Sequence, residues 1–170
     1  GRGIFWHTNV IKDIKKEEAD IFFAPSSYII PALLPKSIKT VLTVHDLVAF
    51  LFPENHNKKA TFIEKLFLKR ALKKTAHTIT ISQNTEKDIL NKFKYDKHRL
   101  SVIYIAADEN YKPVKKESLT DFIEKTNLPK KFFVAVGTLI PRKNYSNLIR
   151  AFALIAKEYP DYHLMIVGGK

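Results

Sequence analysis

The sequence contains no cysteine, one methionine, one tryptophan and only five glycines among 170 residues. Without cysteine there can be no disulfide, zinc ribbon, thiol nucleophile or dithiol redox motif. No apolar run approaches the ~18 residues needed to cross a bilayer. The opening Gly1-Arg2-Gly3-Ile4-Phe5-Trp6-His7 lacks the apolar core of a signal peptide. These features predict a soluble chain. Neither Gly-x-Gly-x-x-Gly nor the P-loop pattern occurs, so neither NAD nor Walker-type ATP binding is indicated. His7, His56, His77, His98 and His163 make no metal-ligand spacing, and no metal is expected.

What is abundant is lysine. The formal net charge is +12, from 29 Lys+Arg against 17 Asp+Glu, and the isoelectric point is near 9.7. Such a balance raises nucleic acid, an anionic membrane surface or a phosphorylated small molecule as partners. Only five of the cations are arginines, the residue suited to bidentate phosphate and base recognition. The charge is spread along the chain with no basic arm. Most of it reads as solvated surface, and no nucleic-acid partner is expected.

Short apolar runs rich in β-branched residues alternate with longer segments of helical period. Candidate strands are Ala19–Ala24, Lys39–Val44, His77–Ile81, Leu100–Ile105, Phe132–Val136 and His163–Val167. Several are almost continuously hydrophobic, as in parallel strands covered on both faces. Lys58–Thr75 reads as a helix with Phe62, Leu66, Ala71 and Leu72 inward and Lys65, Lys69 and Lys73 outward. Ser82 reads as the N-cap of a helix through Phe93, with Glu86 and Asp88 near its positive end. Asn144 similarly opens a helix whose inner face is Leu148, Ile149, Phe152, Ile155 and Tyr159. The alternation predicts an α/β doubly wound architecture. A polar, proline-containing stretch from Asp108 through Lys116 marks a boundary, followed by a helix from Ser118 to Thr126.

In open parallel sheets ligands bind beyond the carboxyl ends of the strands, and three such places carry polar chemistry. His45 follows the strand ending at Val44. It can hydrogen-bond a sugar hydroxyl or phosphate, act as acid or base, or serve structurally beside a turn-capping Asp46. Gly137-Thr138-Leu139-Ile140-Pro141-Arg142-Lys143-Asn144 joins a strand to a helix. There a tight turn, two cations and a helix N-terminus would converge on a phosphate or diphosphate. The plain alternative is a basic loop in solvent. Gly168-Gly169-Lys170 ends another strand on a glycine turn, which suggests that further sequence follows.

Taken in order, these segments resemble one family. Thr43-Val44-His45-Asp46-Leu47 with Phe52-Pro53-Glu54 is similar to the TxHDL…FPE segment of GT-B glycosyltransferases of family four. Ile81-Ser82-Gln83-Asn84-Thr85-Glu86-Lys87-Asp88 resembles the segment that follows it, as do Val102-Ile103-Tyr104, Asp108 and Pro113. Val136 through Asn144 is the most specific match, continued by Leu148-Ile149, Ala151-Phe152 and Ile166-Val167-Gly168-Gly169. Thr138 stands where many relatives carry arginine. The turn after Tyr104, often Asn-Gly, reads Ile105-Ala106-Ala107.

The resemblance implies two Rossmann-like domains with parallel sheets, both partial. Residues 1–112 correspond to the second half of the N-terminal, acceptor-side domain, and 113–170 to a linker and the start of the nucleotide-sugar-binding domain. It implies a retaining, metal-free transfer of a hexose, possibly mannose, from a nucleotide diphosphate sugar to a glycan or lipid-linked acceptor. Lys143 would contact the donor diphosphate with Arg142 beside it, on a loop that includes Gly137 and Thr138. His45 would face the donor sugar and acceptor. The family's glycine-rich loop would precede residue 1 and its paired glutamates would follow residue 170, so the chain alone is expected to be inactive. A cytoplasmic location is implied, with contact to the inner face of a membrane through Lys58–Lys74 as a further expectation. The rival from another class is a non-catalytic basic α/β module for nucleic acid or an anionic surface. It would need its cations gathered on one face with exposed aromatics between them.

Overall fold

Two compact units follow one another along the chain, residues 1–106 and 107–170. The computed structural model describes residues 4–53, 58–115 and 119–169. Glu54, His56, Ser118 and Lys170 lie outside the described residues.

The first unit runs α1 (Ile4–Lys16), β1 (Ile21–Ala24), α2 (Ile29–Leu33), β2 (Lys39–Val44), α3 (Val48–Leu51), α4 (Lys58–Lys74), β3 (His77–Thr80), α5 (Gln83–Phe93) and β4 (Leu100–Val102). Its four strands are all parallel and lie in the order β1-β2-β3-β4. The pairs Ala24↔Leu42, Val44↔Thr80 and Thr80↔Val102 keep the carboxyl ends close together. That register brings the residues just after the strands to one edge.

One face of this sheet carries the core. Ala24, Leu42, Val44 and Leu100 meet Leu68, Ala71 and Leu72 of α4 and Ile89 of α5. Each fully buried leucine or isoleucine there contributes about 1.5–3 kcal/mol. On α4 the buried stripe is Leu68, Ala71 and Leu72, continued at the same spacing by Thr75 just past the helix end. This corrects the expected inner face, because Phe62 is 69% and Leu66 55% exposed. The expectation combined residues from two neighbouring stripes of one helix.

The other face differs from expectation as well. Ile21 and Phe23 point to it and remain 61% and 55% exposed, although parallel sheets are ordinarily covered on both sides. Strands β1 and β4 are also shorter than predicted, since Ala19–Asp20 and Ile103–Ile105 lie outside the ladder.

α2 has only five residues, so its last carbonyls have no partner within the helix. Two cations of α4 supply them. Arg70 Nε donates to the Ala32 carbonyl at 2.8 Å, and Lys74 Nζ donates to Ala32 at 3.1 Å and to Leu34. Burial first, and then the charges of Arg70 and Lys36, hold the Lys74 ammonium below the usual lysine range. Ser82 caps α5 as predicted, its Oγ accepting from the Thr85 amide at 3.1 Å.

The second unit contains α6 (Thr120–Thr126), β5 (Lys131–Val136), α7 (Tyr145–Ile155) and β6 (Tyr162–Val167). The two strands are parallel and paired from Lys131↔Tyr162 to Val136↔Val167. Aromatic contacts hold α7 and the sheet together: Phe133 lies 6.3 Å from Phe152 and 5.6 Å from Tyr162, centroid to centroid. None of its described residues is fully buried. Two strands present too little surface to enclose a core.

Candidate functional site

In the first unit, the end of β2 delivers His45 to the edge where β1 delivers Pro25. His45 Nε2 lies 2.8 Å from the Pro25 carbonyl oxygen. A carbonyl can only accept, so Nε2 carries the proton, and Nδ1 of the neutral ring is left as an acceptor. The turn is held from α5 too, where the Thr85 hydroxyl donates to the His45 carbonyl at 3.1 Å. Asp46 has the structural part: its Oδ1 accepts the Val48 amide at 3.0 Å and shapes the entry to α3. The backbone around His45 is thus held by α5 and by the entry to α3, and its ring by the residue after β1.

Beside it lies a hollow of about 320 Å3, lined by Ser26, Ser27, Tyr28, Ile29, Glu64 and Phe67 among others. The Tyr28 hydroxyl is pushed up to about 12, by burial first and then by the Glu64 and Asp46 carboxylates. It therefore stays protonated and able to donate across the working range of pH.

In the second unit the site is the loop after β5. Gly137 has φ of +152°, a conformation side chains rarely adopt. Its amide donates to Val167 at 2.9 Å, and Leu139 donates to Gly169 at 3.0 Å, so the two strand ends are tied together. A methyl group on Gly137 would stand 3.0 Å from the Tyr145 hydroxyl and 3.5 Å from Lys143 Cε. Lys143 thus folds back over the glycine, and the Tyr145 hydroxyl donates to the Gly137 carbonyl at 3.1 Å.

Arg142 and Lys143 sit in a separate 3-10 turn, Pro141–Lys143, one step ahead of α7. Asn144 occupies the N-cap position in a left-handed conformation, φ 56°, and its side chain caps nothing. Its carbonyl instead accepts from Asn147 at 3.1 Å and from Leu148 at 3.3 Å. Neither Arg142 nor Lys143 has a side-chain hydrogen bond or ion pair among the described residues. Both are exposed cations with no internal use. Thr138 is exposed on the same loop.

The structure therefore gathers Gly137, Thr138, Arg142 and Lys143 on one loop of the second unit and places His45 in the first. Sequence reasoning missed Pro25, Thr85 and Tyr145. Pro25 could have been found by reading the residue after β1 as β2 was read. The other two act through contacts made only in the folded chain. Among the described residues no three His, Asp or Glu side chains gather to hold a metal, and no helix is long and apolar enough to cross a membrane.

The family model described as Glycosyltransferase Family 4 matches residues 1–111, and Glycosyl transferases group 1 matches residues 117–170. The O-antigen chain mannosyltransferase RfbU of Salmonella typhimurium is 30% identical over 138 residues, 81% of this chain and 34% of its own. The O-antigen chain mannosyltransferase B of Escherichia coli is 27% identical over 152 residues, 88% of this chain and 38% of its own. The chain thus spans 34–38% of the length of these curated relatives. Among solved structures, Anabaena Alr3699/HepE in complex with UDP-glucose aligns with a TM-score of 0.73 at 20% identity, over 96% of this chain and 43% of that one. The same protein with UDP and glucose gives 0.72 at 19%, over 96% and 42%. That likeness establishes an α/β fold with the parallel sheets of GT-B glycosyltransferases. With its matched segment running from residue 1 to 111, the chain belongs to Glycosyltransferase Family 4.

Proposed function

We propose that this chain serves a retaining glycosyltransferase that moves a hexose, mannose by the names of its relatives, from a nucleoside diphosphate donor to a glycan or lipid-linked acceptor. The observation that carries the reading is the pair of uncommitted cations, Arg142 and Lys143, beside the glycine turn that ends β5. When the bond from the anomeric carbon to the diphosphate breaks, the departing oxygen gains negative charge. Charged donors aimed at that oxygen stabilise it more in the transition state than in the ground state. The reading gives this work to Lys143, with Arg142 beside it, rather than to a metal ion. Gly137 and Thr138 let the backbone approach the diphosphate closely.

His45 is assigned to the sugar. With Nε2 committed to Pro25, Nδ1 accepts from a sugar or acceptor hydroxyl and fixes its orientation. The neighbouring hollow lined by Ser26, Ser27, Tyr28 and Glu64 offers hydroxyls and a carboxylate to an acceptor glycan, with Ile29 and Phe67 against its apolar face. A cytoplasmic enzyme resting on the inner face of a membrane fits the outer side of α4. There Phe62 and Leu66 stand exposed among Lys58, Lys65 and Lys69.

The test is transfer by the full-length protein, offered nucleoside diphosphate hexoses and glycan or lipid-linked acceptors. One donor should be consumed and the product should keep its anomeric configuration by NMR. Inversion, or no turnover with any donor, would overturn the reading.

A further inference from the structure

On the side of the first unit formed by α4 and α5 there is a cavity of about 710 Å3, a size ordinary for a small-molecule site. Five cations line it: Lys69, Lys73, Lys92, Lys94 and Arg99, against one acid, Asp96. Its floor is apolar, made of Phe50, Leu72, Phe93 and Tyr95, and the two phenylalanine rings meet edge to face at 5.3 Å. Neither His45 nor any residue of the loop after β5 belongs to it.

Local structure accounts for only part of this charge. Lys73 and Lys92 lie in the last turns of α4 and α5, where a cation complements the helix dipole. Arg99 donates to the carbonyls of Thr75 and Ala76 and lies 5.2 Å from the Tyr95 ring. Lys94, the C-cap residue of α5, complements the dipole of that helix, whereas Lys69, inside α4, has no such role. None of the four lysines has an ion pair with a carboxylate among the described residues. Asp96 is already engaged, its Oδ1 accepting the His98 amide at 2.9 Å. Like charges crowded round one hollow repel each other, and a multivalent anion would relieve that repulsion.

We propose that this cavity binds an organic phosphate or diphosphate carrying an apolar chain. The phosphoryl oxygens would meet the lysines, and the chain would lie on Phe50, Phe93 and Tyr95. This site stands whether or not the sugar-transfer reading holds, because binding rather than turnover reports on it.

Geranyl diphosphate is a suitable soluble probe, titrated calorimetrically into full-length protein carrying Lys143→Ala, so that the loop after β5 is silenced. One saturable site is expected. Lys73→Glu with Lys92→Glu should weaken it at least tenfold, as loss of charge-assisted contacts implies, while lowering the melting temperature only slightly through the lost helix-dipole complement. Phe50→Ala should weaken geranyl diphosphate several-fold and leave inorganic pyrophosphate unchanged. Lys12→Glu with Lys15→Glu, on α1, should change neither. Competition by phosphatidylglycerol vesicles would identify a membrane headgroup as the source, and its absence a soluble phosphate. No saturation, or equal weakening by the α1 variant, would overturn the proposal in favour of diffuse charge attraction.

Discussion

The imidazole of His45 donates its Nε2 proton to the Pro25 carbonyl across 2.8 Å, and so the residue after β2 is oriented by the residue after β1. The bond holds the ring in one tautomer and leaves Nδ1 as the nitrogen able to accept. In the full-length protein, on the proposed function, His45→Ala should lower kcat by about 100-fold or more while changing nucleotide affinity little. His45→Gln is the sharper variant, since its amide can still donate to Pro25 but cannot supply the Nδ1 acceptor. Its melting temperature should stay near wild type and its kcat should stay low. Recovery of turnover by glutamine would reduce His45 to a spacer.

Lys143 should matter for the diphosphate and not for the base. A charge-assisted hydrogen bond contributes about 1.5–3 kcal/mol, so Lys143→Ala should weaken nucleoside diphosphate binding roughly 10- to 150-fold. The matching nucleoside should bind as before. Arg142→Ala should cost less, because Lys143 is the one folded over Gly137. Calorimetric titration of both ligands against each variant decides it. Equal losses for nucleoside and diphosphate would indicate a folding defect instead.

The two glycines that end β6 should respond in opposite ways. A Cβ on Gly168 would stand 1.9 Å from the Gly137 carbonyl oxygen, a backbone atom that cannot swing aside, whereas one on Gly169 meets nothing within 4 Å. Gly168→Ala should therefore destabilise the second unit by about 1–3 kcal/mol and weaken diphosphate binding with it. Gly169→Ala should stay within about 0.5 kcal/mol of wild type. Denaturant melts of the two variants side by side are the measurement.

Lys131 Nζ lies 2.5 Å from Asp161 Oδ2 and ties the start of β5 to the residue before β6. The hydrogen bond from Lys131 is the main reason the Asp161 carboxyl sits below the usual value of 3.8. A carboxyl depressed in the folded state adds stability above its unfolded value and loses it as pH falls through the folded one. Asp161→Asn should thus lower the melting temperature slightly at neutral pH, the pair being exposed. The gap from wild type should close as the pH falls through the lowered folded-state value of Asp161. A gap that persists in acid would assign the effect to packing.

Much of this was readable in the sequence because neighbouring signals agreed. Ser82 before a helical period announced α5, and the β-branched run Lys39–Val44 announced β2 with His45 at its end. α1 escaped because Ile4, Val10, Ile11 and Ile14 favour strands as single residues, and its helical state depends on packing against α2. The inner face of α4 escaped because its apolar residues fall on two stripes, Phe62 and Leu66 on one and Leu68, Ala71 and Leu72 on the other. Only burial tells them apart. Tyr145 looked like an ordinary first residue of a helix, and its bond to Gly137 exists only once β5 and α7 are in place.

The bonds from Arg70 and Lys74 to Ala32 join residues 38 and 42 positions apart, and the segment they enclose contains β2 and His45. The enclosed segment is long, and closing it carries an entropic cost that α4 must offset before the turn acquires a definite shape. On a ribosome, His45 would leave the exit tunnel well before Lys74 does, and it would remain without its native geometry for that interval. The same order holds in reverse: amide exchange at Val44 through Leu47 should report the release of α4 from α2 rather than a local opening.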